Sequence, residues 1–404
     1  MTNNLKKRWA FLAVGIFTML FAGIIYAWSI LKTPFAAEYG FLPSTLSLNF
    51  TLTMSFFCLG GFLSSQLVRR IGTRLTVIIA ALLAGLGFIL SPTVGVLSPI
   101  ALYVSYAFMS GLGIGMAYIV IISTVNAWFP DKKGLSSGAL MMGFGASTLI
   151  LGNIADALFA SGFGFKKTYI AIGIALIAVL LPAAFVIKRP AEGTVFPEAK
   201  KKAASREESF EARDFRPIEM IKRFTFWRFF IGLVCLTAVG SSVISFAKDL
   251  ALSVGAEAAL ATSLVGVLAI CNGLGRIITG AVFDAMGRKF TMIAASILTI
   301  VAAAMTLLAV SISSLPLLIV GLCLTGMSYG TSPTISSAFT LSFYGQKHFA
   351  ANLSISNFNL MAASFIATAC TALLTSSGGY AAPFVLLLAL SLAALMLNFS
   401  IKKP

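Results

Sequence analysis

Arg276 is the residue in this chain whose position most needs a chemical reason. It lies inside the apolar run from Leu260 to Val282, about eight residues, or ~12 Å of helical rise, from the nearest polar loop. A guanidinium at that depth in hydrocarbon costs roughly 2.5–3.5 kcal/mol on insertion scales and, where it is retained, marks a substrate or ion pathway. Its planar fork can hold a carboxylate through two parallel charge-assisted hydrogen bonds. The residue one turn earlier is Asn272, an amide, and no acidic residue stands at the same depth in the sequence. Arg276 is therefore expected to dock an anionic substrate.

Other chemistries find no matching residues. The five cysteines, Cys58, Cys235, Cys271, Cys323 and Cys370, all fall in apolar stretches and give neither a disulfide framework nor metal-ligand spacing. The single histidine, His348, sits beside Lys347 at the start of an apolar stretch, which suits a surface residue rather than a proton relay. Nucleophilic catalysis with a usable histidine, metal hydrolysis and a strand-preceded phosphate loop are thus not expected. The reading is of a protein that is not an enzyme and carries no cofactor.

The elements that must position Arg276 follow from composition. With 58% hydrophobic and 10% charged residues and a mean hydropathy of +0.97, the chain cannot be arranged with a polar surface. Twelve apolar stretches match the ~20 residues needed to cross ~30 Å of hydrocarbon as helix: 9–31, 45–68, 75–94, 98–127, 135–160, 167–187, 225–247, 258–283, 290–311, 315–342, 349–375 and 380–401. One long polar break, residues 189–223 with Lys200, Lys201, Lys202, Glu207, Glu208, Arg213, Asp214 and Arg216, separates an N-terminal bundle (1–188) from a C-terminal one (224–404). The net charge of +16 sets topology rather than recruiting nucleic acid, because 24 of the 29 Lys and Arg residues fall on one side of a twelve-span drawing. Both termini are accordingly expected in the cytoplasm. The first apolar run is too long for a signal-peptide core and is expected to remain as a helix.

An internal repeat supports the division into halves. Gly115-Met116-Ala117-Tyr118 recurs as Gly326-Met327-Ser328-Tyr329 at an offset of 211, and Ile71-Gly72-Thr73-Arg74 recurs as Met286-Gly287-Arg288-Lys289 at an offset of 215. Two halves in the same orientation imply a pseudo-twofold along the membrane normal and a binding site near midplane between them.

On these residues the chain resembles the major facilitator superfamily. The superfamily's loop between the second and third helices of each half, Gly-x-x-x-Asp-Arg-x-Gly-Arg-Lys, is matched by Gly280, Asp284, Gly287, Arg288 and Lys289, which the resemblance makes a cytoplasmic gate. In the first-half copy Ser65 and Arg69 replace the leading glycine and the aspartate, so Arg69, Arg70 and Arg74 are expected only to set topology. Within the superfamily, the run from Gly111 to Tyr118, the stretch from Trp128 to Gly138, Gly143-Phe144-Gly145 and Tyr26-Ala27-Trp28 look like the oxalate:formate antiporter family and its monocarboxylate-transporter relatives. That resemblance implies an all-helical membrane fold of twelve transmembrane helices in two six-helix halves. It maps the family's binding arginine to Arg276 and the site-lining tyrosines to Tyr26 and Tyr118, with Tyr329 as their counterpart in the tenth helix.

Two departures narrow the expectation. Oxalate carriers of the family add a lysine in the eleventh helix, whereas the matching stretch here is Ser356-Asn357-Phe358-Asn359. With one fixed cation a dianion would be half neutralised in low dielectric, so a monocarboxylate is expected, with Asn357 or Asn359 as a neutral partner. Proton-coupled relatives carry an aspartate where Asn272 stands, which favours anion exchange or uniport over proton symport. The expected protein is a monomeric multi-pass carrier of a small organic anion in the cytoplasmic membrane, working by alternating access. Alternatives are a proton-coupled carboxylate symporter, an exporter of larger lipophilic or aromatic compounds, and a non-transporting membrane sensor.

Overall fold

The structure is a computed structural model that describes residues 2–94, 98–191, 194, 196 and 214–401. Every regular element among the described residues is helical. Ten helices among the described residues are long and apolar enough to cross a membrane: α1 (Lys7–Leu31), α2 (Pro43–Thr93), α3 (Pro99–Asn126), α4 (Leu135–Ala160), α5 (Phe165–Val186), α6 (Phe224–Ser253), α7 (Ala258–Ser311), α8 (Leu315–Tyr344), α9 (Phe349–Ser377) and α10 (Ala381–Ser400). Phe17, Ile174, Val385 and Met396 lie exposed on them, which is stable only against lipid.

The twelve apolar stretches expected from sequence appear as ten helices because α2 and α7 each absorb two. At 51 and 54 residues they would be ~77 and ~81 Å long if straight. Each is broken at one glycine, Gly72 (φ 82°, ψ 168°) in α2 and Gly287 (φ 76°, ψ 179°) in α7. That backbone region is essentially restricted to glycine, and four residues on a threonine hydroxyl donates to its carbonyl, Thr76 to Gly72 at 2.8 Å and Thr291 to Gly287 at 2.7 Å. The polar loops expected at these places are therefore single-residue breaks, with Arg69 and Arg70 still helical.

Five other helices carry irregular turns. α1 tightens to 3-10 geometry at Gly23–Ala27, α3 widens to a π-helix at Tyr103–Gly111 and α4 does so at Thr148–Gly152. α6 departs from helical geometry at Phe246 (φ −131°), and α9 is interrupted at Asn357.

The chain divides into two compact units, Met1–Ala203 with Leu353–Ile355, and Ala204–Asn352 with Ser356–Pro404. Of the charged break between the expected bundles, Lys200, Lys201, Lys202, Glu207, Glu208 and Arg213 lie outside the described residues, as do Lys402 and Lys403. The end of that break is anchored within the second unit. The Phe215 amide donates to the Tyr344 carbonyl at 3.0 Å, the Lys347 amide to the Asp214 carboxylate at 2.9 Å, and the Asn352 side chain to the Phe215 carbonyl at 3.0 Å.

Among the helix pairs that approach through glycines, one in each unit has a counterpart in the other, and the two match at a constant offset. A methyl group on Gly60, Gly111 or Gly115 would collide with the carbonyl oxygens of Leu112, Thr53 and Phe57, joining α2 to α3. On Gly275, Gly326 or Gly330 it would meet those of Met327, Leu268 and Asn272, joining α7 to α8. Both members of every pair differ by 215 residues. The offset of 211 expected from the Gly-Met-x-Tyr tetrapeptides is thereby corrected by one helical turn. In the structural register Tyr118 corresponds to Pro333 and Tyr329 to Ile114, so Tyr329 is not the repeat of Tyr118.

Candidate functional site

Arg276 is the largest fully buried side chain of the described structure, 1% exposed. Its depth in the protein follows from the helix pairing just described. Gly330 lets α8 approach so closely that an added methyl group would lie 3.0 Å from the Arg276 backbone nitrogen. One turn earlier on α7, the Asn272 side-chain oxygen accepts a hydrogen bond from Arg276 Nε at 3.1 Å. This i to i+4 contact is the geometry in which helical side chains meet. The acceptor is a neutral amide, so it orients the guanidinium without cancelling its charge.

The remaining second-unit candidates lie on α8 and α9. Tyr329, 2% exposed, rests on Gly240 of α6, where any side chain would collide with its ring. Asn357 occupies the interruption of α9 and accepts from the Ser336 hydroxyl at 3.5 Å. Asn359 is held at both ends, accepting from Thr237 at 3.0 Å and donating to the Ser356 carbonyl at 2.7 Å.

In the first unit Tyr26 and Tyr118 converge on a third ring. Tyr26, carried by the 3-10 turn of α1, meets Phe144 of α4 at 5.1 Å and 90°. Tyr118 of α3 meets Phe144 at 5.1 Å and 73° and Phe57 of α2 at 5.1 Å. Such edge-to-face pairs hold each ring's orientation. Phe57 and Phe144 were missed as site neighbours in the sequence, where aromatic residues in apolar helices carry no distinguishing period. In the 215 register Phe57 and Gly61 stand where the second unit has Asn272 and Arg276, so the first unit carries aromatic packing at the level where the second carries polarity.

The expected gate residues lie in the middle of α7, around its break at Gly287. Gly280 is buried, Asp284 and Lys289 are exposed, and Gly287 forms the break. The Arg288 guanidinium lies 4.7 Å from the Phe343 ring centre; Phe343 stacks on Phe339 at 4.2 Å, and Phe339 on Phe229 at 3.8 Å.

Solved structures of the same architecture are found. A proton:xylose symporter superposes with a TM-score of 0.74 at 12% identity, covering 98% of this chain and 96% of that one. The fucose:proton symporter of E. coli gives 0.62 at 12% identity over 96% of this chain and 98% of that one. Among curated proteins, the chain is 24% identical over 358 residues to the MFS-type transporter YhjX of Escherichia coli, covering 88% of this chain and 85% of the relative. It is 27% identical to the oxalate:formate antiporter of Oxalobacter formigenes, covering 72% and 67% respectively, and 24% identical to monocarboxylate transporter 12 of Rattus norvegicus, covering 91% and 79%. The Major Facilitator Superfamily profile matches residues 10–358 and, in a second match, 229–404, and with this fold and these helices the chain is a multi-pass membrane transporter belonging to the Major Facilitator Superfamily.

Proposed function

We propose that this transporter carries a small monocarboxylate through the membrane, with Arg276 as the docking charge. The observation that carries the reading is a guanidinium 1% exposed in the middle of an apolar helix and oriented by the neutral amide of Asn272. A carboxylate binding there gains charge-assisted hydrogen bonds and neutralises a charge that is costly in low dielectric. The relatives named for oxalate, formate and monocarboxylates support the same substrate class. Tyr26, Tyr118 and Tyr329 are proposed to offer phenol hydroxyls to the anion, and Asn357, whose interruption of α9 frees local backbone, a side-chain amide. Asn359, held at both ends, braces this segment. Gly280, Asp284, Gly287, Arg288 and Lys289 form the proposed cytoplasmic gate.

The chain is further proposed to cross the membrane twelve times, α2 and α7 each crossing twice about Gly72 and Gly287, with both termini cytoplasmic. It acts as a monomer in the cytoplasmic membrane and works by exchange or uniport. A thermal-shift screen of purified protein against formate, acetate, lactate, pyruvate, oxalate and aromatic acids tests the assignment. A monocarboxylate should raise Tm in the native protein and lose that effect in Arg276→Gln. Stabilisation that survives the substitution would overturn the role of Arg276.

A further inference from the structure

A pair of thiols on the outer rim of the α7–α8 packing has no role in the proposed transport chemistry. Cys271 precedes Asn272 on α7, and its Cβ lies 2.9 Å from where a side chain on Gly326 of α8 would begin. Cys323 is three residues before Gly326 on α8, and positions three apart on a helix are neighbours at about 5–6 Å. The two side chains therefore share one stretch of the α7–α8 contact, about a helical turn apart. Both are partly exposed, whereas Cys58, Cys235 and Cys370 are buried. Their surroundings are apolar and open outward, with Ile270 and Leu274 flanking Cys271, and Val320 one turn before Cys323. A reagent entering through lipid can therefore reach them.

We infer that Cys271 and Cys323 together form a two-thiol site for a soft, thiophilic metal ion of low coordination number, such as Cu(I) or Hg(II). Sulfur ligands select soft ions over hard ones, and two thiols on adjacent helices suit an ion satisfied by two ligands. Capture of Hg(II) is not a redox step. Each S–H bond is replaced by a Hg–S bond, the two protons pass to buffer, and two chlorides leave when the ion arrives as neutral mercuric chloride. Metal binding to thiols releases protons in this way. The bridge ties α7 to α8 beside Asn272, and its formation does not depend on what the transporter carries.

The test uses the full-length protein in detergent micelles with mercuric chloride, followed by an excess of the monothiol glutathione, gel filtration and measurement of mercury per chain. In a Cys58→Ala/Cys235→Ala/Cys370→Ala background the pair should retain one mercury per chain. Adding Cys271→Ser or Cys323→Ser should lower retention at least tenfold, because a single thiol gives up the ion to competing monothiol. Equal retention with and without either serine, or no retention in the background protein, overturns the inference. Should the triple-alanine background fail to fold, the single serine variants of the natural chain serve instead. Each must then lose one glutathione-resistant mercury per chain, and an unchanged count overturns the site.

Discussion

Replacing Asn272 by aspartate would put a carboxylate where a neutral amide now accepts from Arg276 Nε at 3.1 Å, and so would set an internal anion in competition with the cargo. Above the new carboxyl's pKa the ion pair holds the guanidinium, and anion affinity should fall at least tenfold, equivalent to about 1.4 kcal/mol. Below it the protonated acid no longer competes, so affinity should recover as pH is lowered. Uptake of radiolabelled acid at several pH values measures this; a pH-independent loss would mean that Asn272 does not tune the arginine. Arg276→Lys keeps the charge but loses the planar fork, and should lower affinity by more than tenfold while leaving Tm nearly unchanged. Arg276→Gln should abolish anion-dependent stabilisation without unfolding the protein, since an apolar or neutral replacement of a buried charge is often tolerated. The burial of Arg276 was legible in the sequence, because it stands well inside an apolar run. Phe57 and Phe144 were not, because nothing in an apolar helix separates a phenylalanine that touches a site tyrosine from one that touches lipid.

Glycines decide how the elements meet, and two of them do so for different physical reasons. A methyl group on Gly330 would collide with the Asn272 carbonyl oxygen, so Gly330→Ala must push α8 from α7, at a cost of about 1–3 kcal/mol typical of overpacking. Gly287 has open space around it but a φ of 76°, so Gly287→Ala strains only the backbone, by about 1–3 kcal/mol. Thermal unfolding in detergent should show both with a lowered Tm. Gly162→Ala, with no atom near and no left-handed φ, should not shift it. Gly330→Ala alone should also weaken anion binding, because Asn272 and Arg276 move with the displaced helix. The helices themselves were legible from apolar length, yet the internal register was not. Gly111 and Gly115 recur four apart in α3, as Gly326 and Gly330 do in α8, so a tetrapeptide match can slip by one helical turn at no cost in similarity. Only the partners of the glycines on α2 and α7 settle the offset at 215. The loops expected around Gly72 and Gly287 were misjudged because charged residues mark a membrane surface, not the end of a helix.

At the scale of the whole molecule, the first unit carries a buried ion pair between its helices. Arg8 at the start of α1 donates to both carboxylate oxygens of Asp131, beyond α3, at 2.7 and 3.2 Å, with side chains only 8% and 6% exposed, and its guanidinium lies 5.0 Å from the Phe129 ring. Removing one partner strands a buried charge, so Asp131→Asn should cost about 3–5 kcal/mol and lower Tm more than Arg69→Ala, which affects only an exposed residue. The proposed transport cycle turns on Arg276 in the second unit. If Arg276 docks the cargo as proposed, a carrier that reorients while loaded moves a nearly neutral site through low dielectric. Reorienting without an anion moves a cation, at a cost of several kcal/mol in that medium. Proteoliposomes loaded with the transported acid should therefore take up labelled acid at least tenfold faster than liposomes with an empty lumen, the ratio set by that difference in barrier. In Arg276→Gln the two rates should converge, because the unloaded site no longer carries charge. Equal rates in the native protein would assign uniport rather than exchange and would place the rate-limiting barrier somewhere other than the arginine.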